Sequence, residues 1–278
     1  MLEYYNTKQM EKSAILEQND ATENGFIKTL TDFFEGVSLL TKFTIRFFRQ
    51  AFKPPFEFKE IIKQSYIIGY QSFPLVAITG FIMGLVITIQ SRPTLVQFGA
   101  ESWLPGMVAV SMIREIAPVI TALIFAGKVG SGIGAELASM KVTEQIDAME
   151  VSGINPFKYL VVTRILAATI TLPMLSIIAD AISLYGSYIG VNLKNDVSLR
   201  LFFLQAFQSL SFSDLFPSLF KTFFFGFSVG LIGCYKGYNC KKGTEGVGIA
   251  ANSSVVFGSL AIFIIDMIAV QITSLLNC

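Results

Sequence analysis

Seven ionisable side chains stand inside or beside long apolar stretches of this sequence: Arg114, Glu115, Lys128, Glu136, Asp180, Lys221 and Asp266. A charge within lipid is costly, so such residues either pair to hold a bundle together or serve a solute that passes through it. Residue type alone leaves both roles open. Depth narrows the partners: on helices rising about 1.5 Å per residue, Glu115, Lys221 and Asp266 fall in the same half of their spans and can meet. The expected cluster has Arg114 and Lys221 as cations and Glu115 and Asp266 as anions. Asp180 has no assigned role.

What the chain lacks narrows the chemistry further. It has no His, which removes His-based metal sites, Ser/His/Asp triads and imidazole bases together. Cys234, Cys240 and Cys278 have neither zinc spacing nor a disulfide-framework pattern. Gly130-x-Gly132-x-x-Ala135 fits a loose dinucleotide fingerprint, but that motif needs a strand before it and a soluble βαβ unit around it. No Walker A sequence occurs, so no cofactor and no metal are expected in this chain. An intramembrane enzyme is disfavoured on the same grounds. A net charge of +1 gives no reason to expect nucleic acid.

The elements that must position these charges are membrane helices. The chain is 53% hydrophobic and 15% charged, a low charge fraction for a soluble domain. No charge occurs between Lys63 and Arg92, a stretch longer than the roughly 20 residues a bilayer span needs. The expected fold is an all-α membrane protein with an N-terminal interfacial helix and five spans. The spans are placed at about 64–91, 104–140, 157–193, 215–235 and 247–276. The second is too long for one upright helix and must tilt, bend or project, with Pro118 as the expected bend. Small-xxx-small pairs at Gly80/Gly84, Gly130/Gly134, Gly186/Gly190 and Gly226/Gly230 point to close helix packing.

Ahead of the spans, residues 1–25 carry five acids and two Lys and read as a disordered tail. They do not resemble a secretory signal, so the first span is expected to stay in the membrane. From Phe26 to Phe52, Phe26, Leu30, Phe33, Val37, Leu40, Phe47 and Phe52 recur near helical spacing among Lys28, Lys42, Arg46 and Arg49. That pattern suits a helix lying in the headgroup region, ended by Pro54-Pro55. Seven Lys/Arg from Lys28 to Lys63, then Lys141, Lys158, Arg164, Lys236, Lys241 and Lys242, outweigh Arg92, Lys194 and Arg200 on the opposite connections. The positive-inside rule therefore places the N-terminus in the cytoplasm and the C-terminus outside.

Between spans two and three, a short helix is expected over residues 142–151. Val142, Ile146 and Met149 share one face, with Glu144, Asp147 and Glu150 around it. Gly153 suits a left-handed stop, and Asn155-Pro156 supplies an N-cap and first-turn Pro for span three. A docking helix and a plain amphipathic loop fit this pattern equally.

The runs Arg114-Glu115-Ile-Ala-Pro118, Ala126-Gly127-Lys128-Val-Gly130, Ala135-Glu136-Leu, Met140-Lys-Val-Thr-Glu144-Gln145-Ile-Asp147-Ala-Met-Glu150 and Asn155-Pro156 resemble the MlaE family. These are ABC-transporter permeases that move phospholipid between the two membranes of Gram-negative bacteria, with plastid relatives. The likeness covers residues 26–278, read as one permease domain, and is densest from Arg114 to Arg164. Lys128 stands where many members carry Arg; it keeps the charge and loses the planar fork.

The resemblance implies a homodimer in the bacterial inner membrane that is not itself an enzyme. ATP and Mg would sit on two cytoplasmic ABC ATPase subunits. A small accessory cytoplasmic subunit and a periplasmic ring of MCE-domain proteins complete the implied assembly. It makes residues 142–151 the coupling helix, with Val142, Glu144, Ile146, Asp147, Met149 and Glu150 against the ATPase. It makes the Phe26–Phe52 helix an elbow that meets the ring's membrane anchors. It places Glu115, Lys221 and Asp266 beside a lipid cavity, with Ile87, Thr94, Leu95 and Phe98 lining it. There the charge cluster would hold an outer gate or sit near a lipid headgroup. The competing expectation is an ion-coupled secondary transporter using Glu115 and Asp266, which would need no ATPase; no inverted repeat is visible in the sequence to support it.

Overall fold

The computed structural model describes residues 34–193, 196–241 and 243–276, and every regular element among them is helical. The tail expected at 1–25, the start of the interfacial helix, Lys194, Lys242 and Cys278 lie outside the described residues. The chain divides into two compact units, Met1–Arg49 and Gln50–Cys278. Helix α1 covers residues 34–51; the Thr41 and Thr44 hydroxyls donate to the carbonyls of Val37 and Leu40 one turn back.

The second unit holds five helices long and apolar enough to cross a membrane. They are α2 (Phe58–Gln97), α3 (Glu101–Val142), α5 (Phe157–Asn192), α7 (Phe212–Tyr238) and α8 (Thr244–Leu276). Two short helices join them, α4 (Gln145–Val151) and α6 (Leu199–Gln208). Two boundaries differ from expectation. Helix α2 continues through Pro93 to Gln97, so the connection expected at Arg92–Ser102 shrinks to a tight turn around Gly99, whose φ is +65°. Arg92 then reaches Glu101 across that turn at 2.7 Å. Helix α6 was expected to be plain connection. Ser198 caps it by accepting from the Leu201 amide, and Phe202 and Ala206 fix it by burying one face.

Helices approach closely where the sequence supplies small residues. At the α2–α5 crossing a Cβ on Gly84 would lie 1.9 Å from the Ser183 carbonyl oxygen, so only glycine fits. Gly186 and Gly190 meet Phe81 and Thr88 along the same contact, while Gly226 and Gly230 let α7 lie on Ala168 and Ile165 of α5. Gly134 faces Ser254 of α8.

Helix α3 does not bend simply at Pro118. It carries two wide turns, Met112–Ile116 and Ala126–Gly130, and a third opens α5 at Phe157–Val162. Proline has no N–H for the carbonyl four residues before it and crowds that carbonyl; the wide turn just ahead of Pro118 absorbs both effects. Each wide turn has a charged group within it or just beyond it, and some of the carbonyls there are taken by side chains. Ser218 of α7 donates to the Ile113 carbonyl at 2.6 Å, and Arg164 donates to the Leu160 carbonyl at 3.0 Å. In the third case Lys128 is the donor, reaching from its wide turn to the Gln71 carbonyl on α2.

Candidate functional site: a charged node beside an apolar groove

Lys221 is the centre of the site. It projects from α7 and is only 4% exposed. Its ammonium reaches Glu115 of α3 at 2.5 Å and Asp266 of α8 at 2.9 Å, so one cation ties three helices together. The wide turn at Met112–Ile116 turns Glu115 toward α7, and the Ser218–Ile113 bond holds α7 in register one turn before Lys221. Ammonium groups buried this deeply need charged acceptors, because desolvation of an unpaired cation costs several kcal/mol.

Arg114 does not join that node as a cation for Glu115 or Asp266. The structure pairs it with Asp214 at 3.7 Å, a residue the sequence pattern of apolar spans does not single out. Adjacent residues on a helix point about 100° apart, and here Arg114 and Glu115 take different ion-pair partners, Asp214 and Lys221. Asp214 also accepts from the Ser211 amide, in a capping box that starts α7. The Ser211-x-x-Asp214 spacing was the signal that could have found it.

Beside the node, an apolar groove of about 690 Å³ runs between α7 and α8. Phe216, Phe220 and Phe224 form one wall, in successive ring contact at 6.1 and 5.2 Å. Ile265, Ile268 and Ile272 form the other, and Lys221 and Thr273 supply polar atoms. A small polar niche between Arg114, Glu115, Asp214 and Lys221 adjoins it. The node therefore stands between a polar niche and an acyl-sized apolar channel.

The four residues expected to line a lipid cavity, Ile87, Thr94, Leu95 and Phe98, do not line this groove. Ile87 and Leu95 pack against the buried cluster formed by Leu104, Val108, Met112 and Phe202. Thr94 is exposed, and Phe98 is 80% exposed at the end of α2. The physical reason is the packing: α2 lies along α5, whereas the groove opens between α7 and α8.

The turn between α3 and α5 also differs from its expected form. Its helix starts at Gln145, not Val142, because Thr143 ends α3 and Glu144 takes a left-handed conformation with φ +58°. The apolar ridge turns inward. Ile146 is 1% exposed and unavailable to a partner, and Val142 and Met149 are half-buried. The outward surface includes Glu144, Gln145, Asp147, Ala148, Glu150 and Val151, with Asp147 held by Lys141 at 2.8 Å. The stop at Gly153 is as its type predicts: φ is +77°, and Gly153 and Ile154 donate back to Glu150 and Met149. Asn155 accepts from the Lys158 amide as the N-cap of α5.

One of the remaining intramembrane charges, Glu136, resolves simply. Glu136 and Arg164 form a two-point pair, with Nη2 2.7 Å and Nε 3.3 Å from the carboxylate, joining α3 to α5. Asp180 is different: its Oδ1 is buried and takes no hydrogen bond from any described residue.

Five helices long and apolar enough to cross a membrane, with a buried ion node and an adjoining apolar groove, describe a multi-pass membrane protein. The chain belongs to the MlaE permease family, whose profile, described as Permease MlaE, matches residues 61–272. A probable ABC transporter permease protein of Rickettsia prowazekii is 38% identical over 240 residues, covering 86% of this chain and 93% of that one. The intermembrane phospholipid transport system permease protein MlaE of Haemophilus influenzae is 36% identical over 217 residues, covering 77% and 83%. A probable ABC transporter permease protein of Synechocystis is 34% identical over 206 residues, covering 74% and 78%.

Proposed function

We propose that this permease moves phospholipid between the inner and outer membranes of a Gram-negative envelope, driven by ATP hydrolysis on partner subunits. The carrying observation is the groove between α7 and α8, apolar along its length and charged at Lys221. Acyl chains leave water favourably along such walls, and a zwitterionic or anionic headgroup finds both signs of charge at the node and its niche. The relative from Haemophilus influenzae carries intermembrane phospholipid transport in its name, which supports the cargo.

In this reading the chain sits in the inner membrane with α1 in the cytoplasmic headgroup region and the C-terminus in the periplasm. Two copies form the permease, and cytoplasmic ABC ATPases carry the ATP and Mg. The α4 turn is their contact, through its acidic outer surface and Val151 rather than through Ile146. A small cytoplasmic subunit and a periplasmic MCE ring complete the assembly. ATP binding would favour one of two arrangements of the dimer, and the turn would pass that preference to the groove.

The test is reconstitution of the purified complex between donor and acceptor membranes carrying labelled phospholipid. Transfer should require ATP and should stop with a hydrolysis-dead ATPase. Equal transfer with and without ATP, driven instead by an ion gradient, would overturn the reading.

A further inference from the structure

Glycines inside the spans mostly serve packing within the chain. At Gly134 an added Cβ would lie 2.5 Å from the Ser254 Oγ, and at Gly237 2.7 Å from the Gly134 carbonyl oxygen. Gly127 and Gly132 of α3 and Gly248 of α8 depart from that pattern. Nothing lies within 4 Å of the Cβ that each would carry, and all three are exposed. Glycine weakens a helix interior relative to alanine. Where the chain itself leaves room, a glycine suits the close approach of a helix from outside.

Polar groups stand at the same level. Lys128, set in the wide turn Ala126–Gly130, is exposed, and its ammonium donates to the Gln71 carbonyl. Gln71 is exposed as well, and lies about 12 Å along α2 from Lys63, the last charge before the span. Asn252 of α8 is exposed two residues before Ser254, which meets both Gly130 and Gly134. Acyl chains offer none of these groups a partner, and an ammonium held at Gln71 is not drawn out to the headgroups. An ammonium has three N–H donors, and Lys128 spends one on Gln71. The carboxamides of Gln71 and Asn252 supply acceptors within about one helical turn in depth. The face therefore carries spare donors and acceptors together, which makes it complementary to itself.

We propose that the exposed face of α3 from Gly127 to Gly132, with Gln71 and Asn252, is the seam onto which a second copy of this chain packs. A two-fold axis along the membrane normal brings equal depths together, so one patch meets its own image. The open glycines admit the backbone of the second copy, and Lys128 donates its remaining N–H groups to a carboxamide across the seam. The inference rests on the permease being a pair of copies, and it names the surface they share.

Dimerisation and photo-cross-linking of the full chain test it. Gly132→Leu meets nothing in its own chain, so a lone copy should keep its fold, while dimerisation read by mass photometry on dilution should weaken about tenfold. Lys128→Met should weaken it about threefold to tenfold, the worth of one interhelical hydrogen bond. Gly134→Leu, which presses on Ser254 within the chain, should instead lower melting. A diazirine amino acid in place of Lys128 captures whatever touches it. Irradiation in membranes should give a covalent dimer, whereas the same amino acid at Ile177 of α5, 53% exposed, should label lipid. Unaltered dimerisation in both Gly132→Leu and Lys128→Met, or capture of phospholipid alone at position 128, would overturn the seam. The two readings fail separately: a chain that stays monomeric at every concentration refutes the pair of copies as well, whereas a dimer that captures only lipid at 128 refutes the seam and leaves the pair and its cargo standing.

Discussion

Two buried cations in this molecule are built to opposite plans. Arg164 meets one carboxylate, that of Glu136, through two nitrogens, and a third nitrogen donates to the carbonyl of Leu160 on its own helix. Charge balances, the planar fork fixes the geometry, and Arg164 lines neither the groove nor the niche. Lys221 meets two carboxylates on two helices, those of Glu115 and Asp266. Its surroundings are over-supplied with negative charge, its head group has no planar constraint, and it lines the groove. The difference separates a charge fixed in one pair from one shared between two carboxylates beside the groove: balance and rigidity mark the first, surplus and flexibility the second.

The comparison breaks most visibly at Arg164. Arg164→Ala should destabilise the protein by about 3 kcal/mol, the low end for a buried pair because Glu136 is half-exposed and can turn to water. Thermal melting in detergent reads this, while phospholipid transfer per folded molecule should hold. Lost transfer at unchanged melting would give Arg164 the working role and end the contrast.

Lys221→Met should do the reverse in kind, cutting transfer by about 2 kcal/mol, a factor of roughly thirty. It also leaves Glu115 and Asp266 facing each other as like charges, so some melting is lost. Combining it with Glu115→Gln and Asp266→Asn should restore melting and leave transfer low. Recovery of both would make the node a brace like Glu136–Arg164. A smaller effect belongs to the groove. Ile268 is 48% exposed, so Ile268→Asn should hardly change melting, yet a polar group in an acyl path should slow transfer by about 1–2 kcal/mol.

How much of this was legible beforehand follows from what kind of constraint each feature obeys. The five spans and the glycine crossings are imposed by lipid and by backbone approach, which act on residue type directly; Gly84 against Ser183 could be anticipated from Gly80-x-x-x-Gly84. Depth allowed Lys221 to meet Glu115 and Asp266, as it does, but it also admitted Arg114, which pairs with Asp214. Azimuth was not legible. Three wide turns rotate the residues around them away from regular helical phase, and Arg114 pairs with Asp214 rather than with Glu115 or Asp266. The turn helix was misread for a related reason. Val142, Ile146 and Met149 form an apolar face under ideal periodicity, but the break at Thr143–Glu144 resets the phase, and the ridge is spent on the bundle. Helix α6 was missed because a short helix is held by tertiary burial of Phe202 and Ala206 rather than by its own propensity.

Arg114 and Asp214 supply the finest test, because they fit neither plan. Their contact is 3.7 Å long, and Arg114 is 41% exposed against 15% for Asp214. An exposed pair of that kind is worth at most about 1 kcal/mol, so Arg114→Ala should barely move melting. Asp214→Ala should cost more, about 1 kcal/mol, since it removes the carboxylate that accepts from the Ser211 amide at the start of α7. Asp214→Asn keeps an acceptor there and should recover most of that loss, although it abolishes the charge facing Arg114. If Asn and Ala behave alike, the ion pair and not the cap carries the energy, and Arg114 belongs with Arg164 among the braces. If Asn recovers the melting, Arg114 is held only loosely beside Lys221. It is then a second cation at the niche that is free to leave its partner when an anionic group arrives.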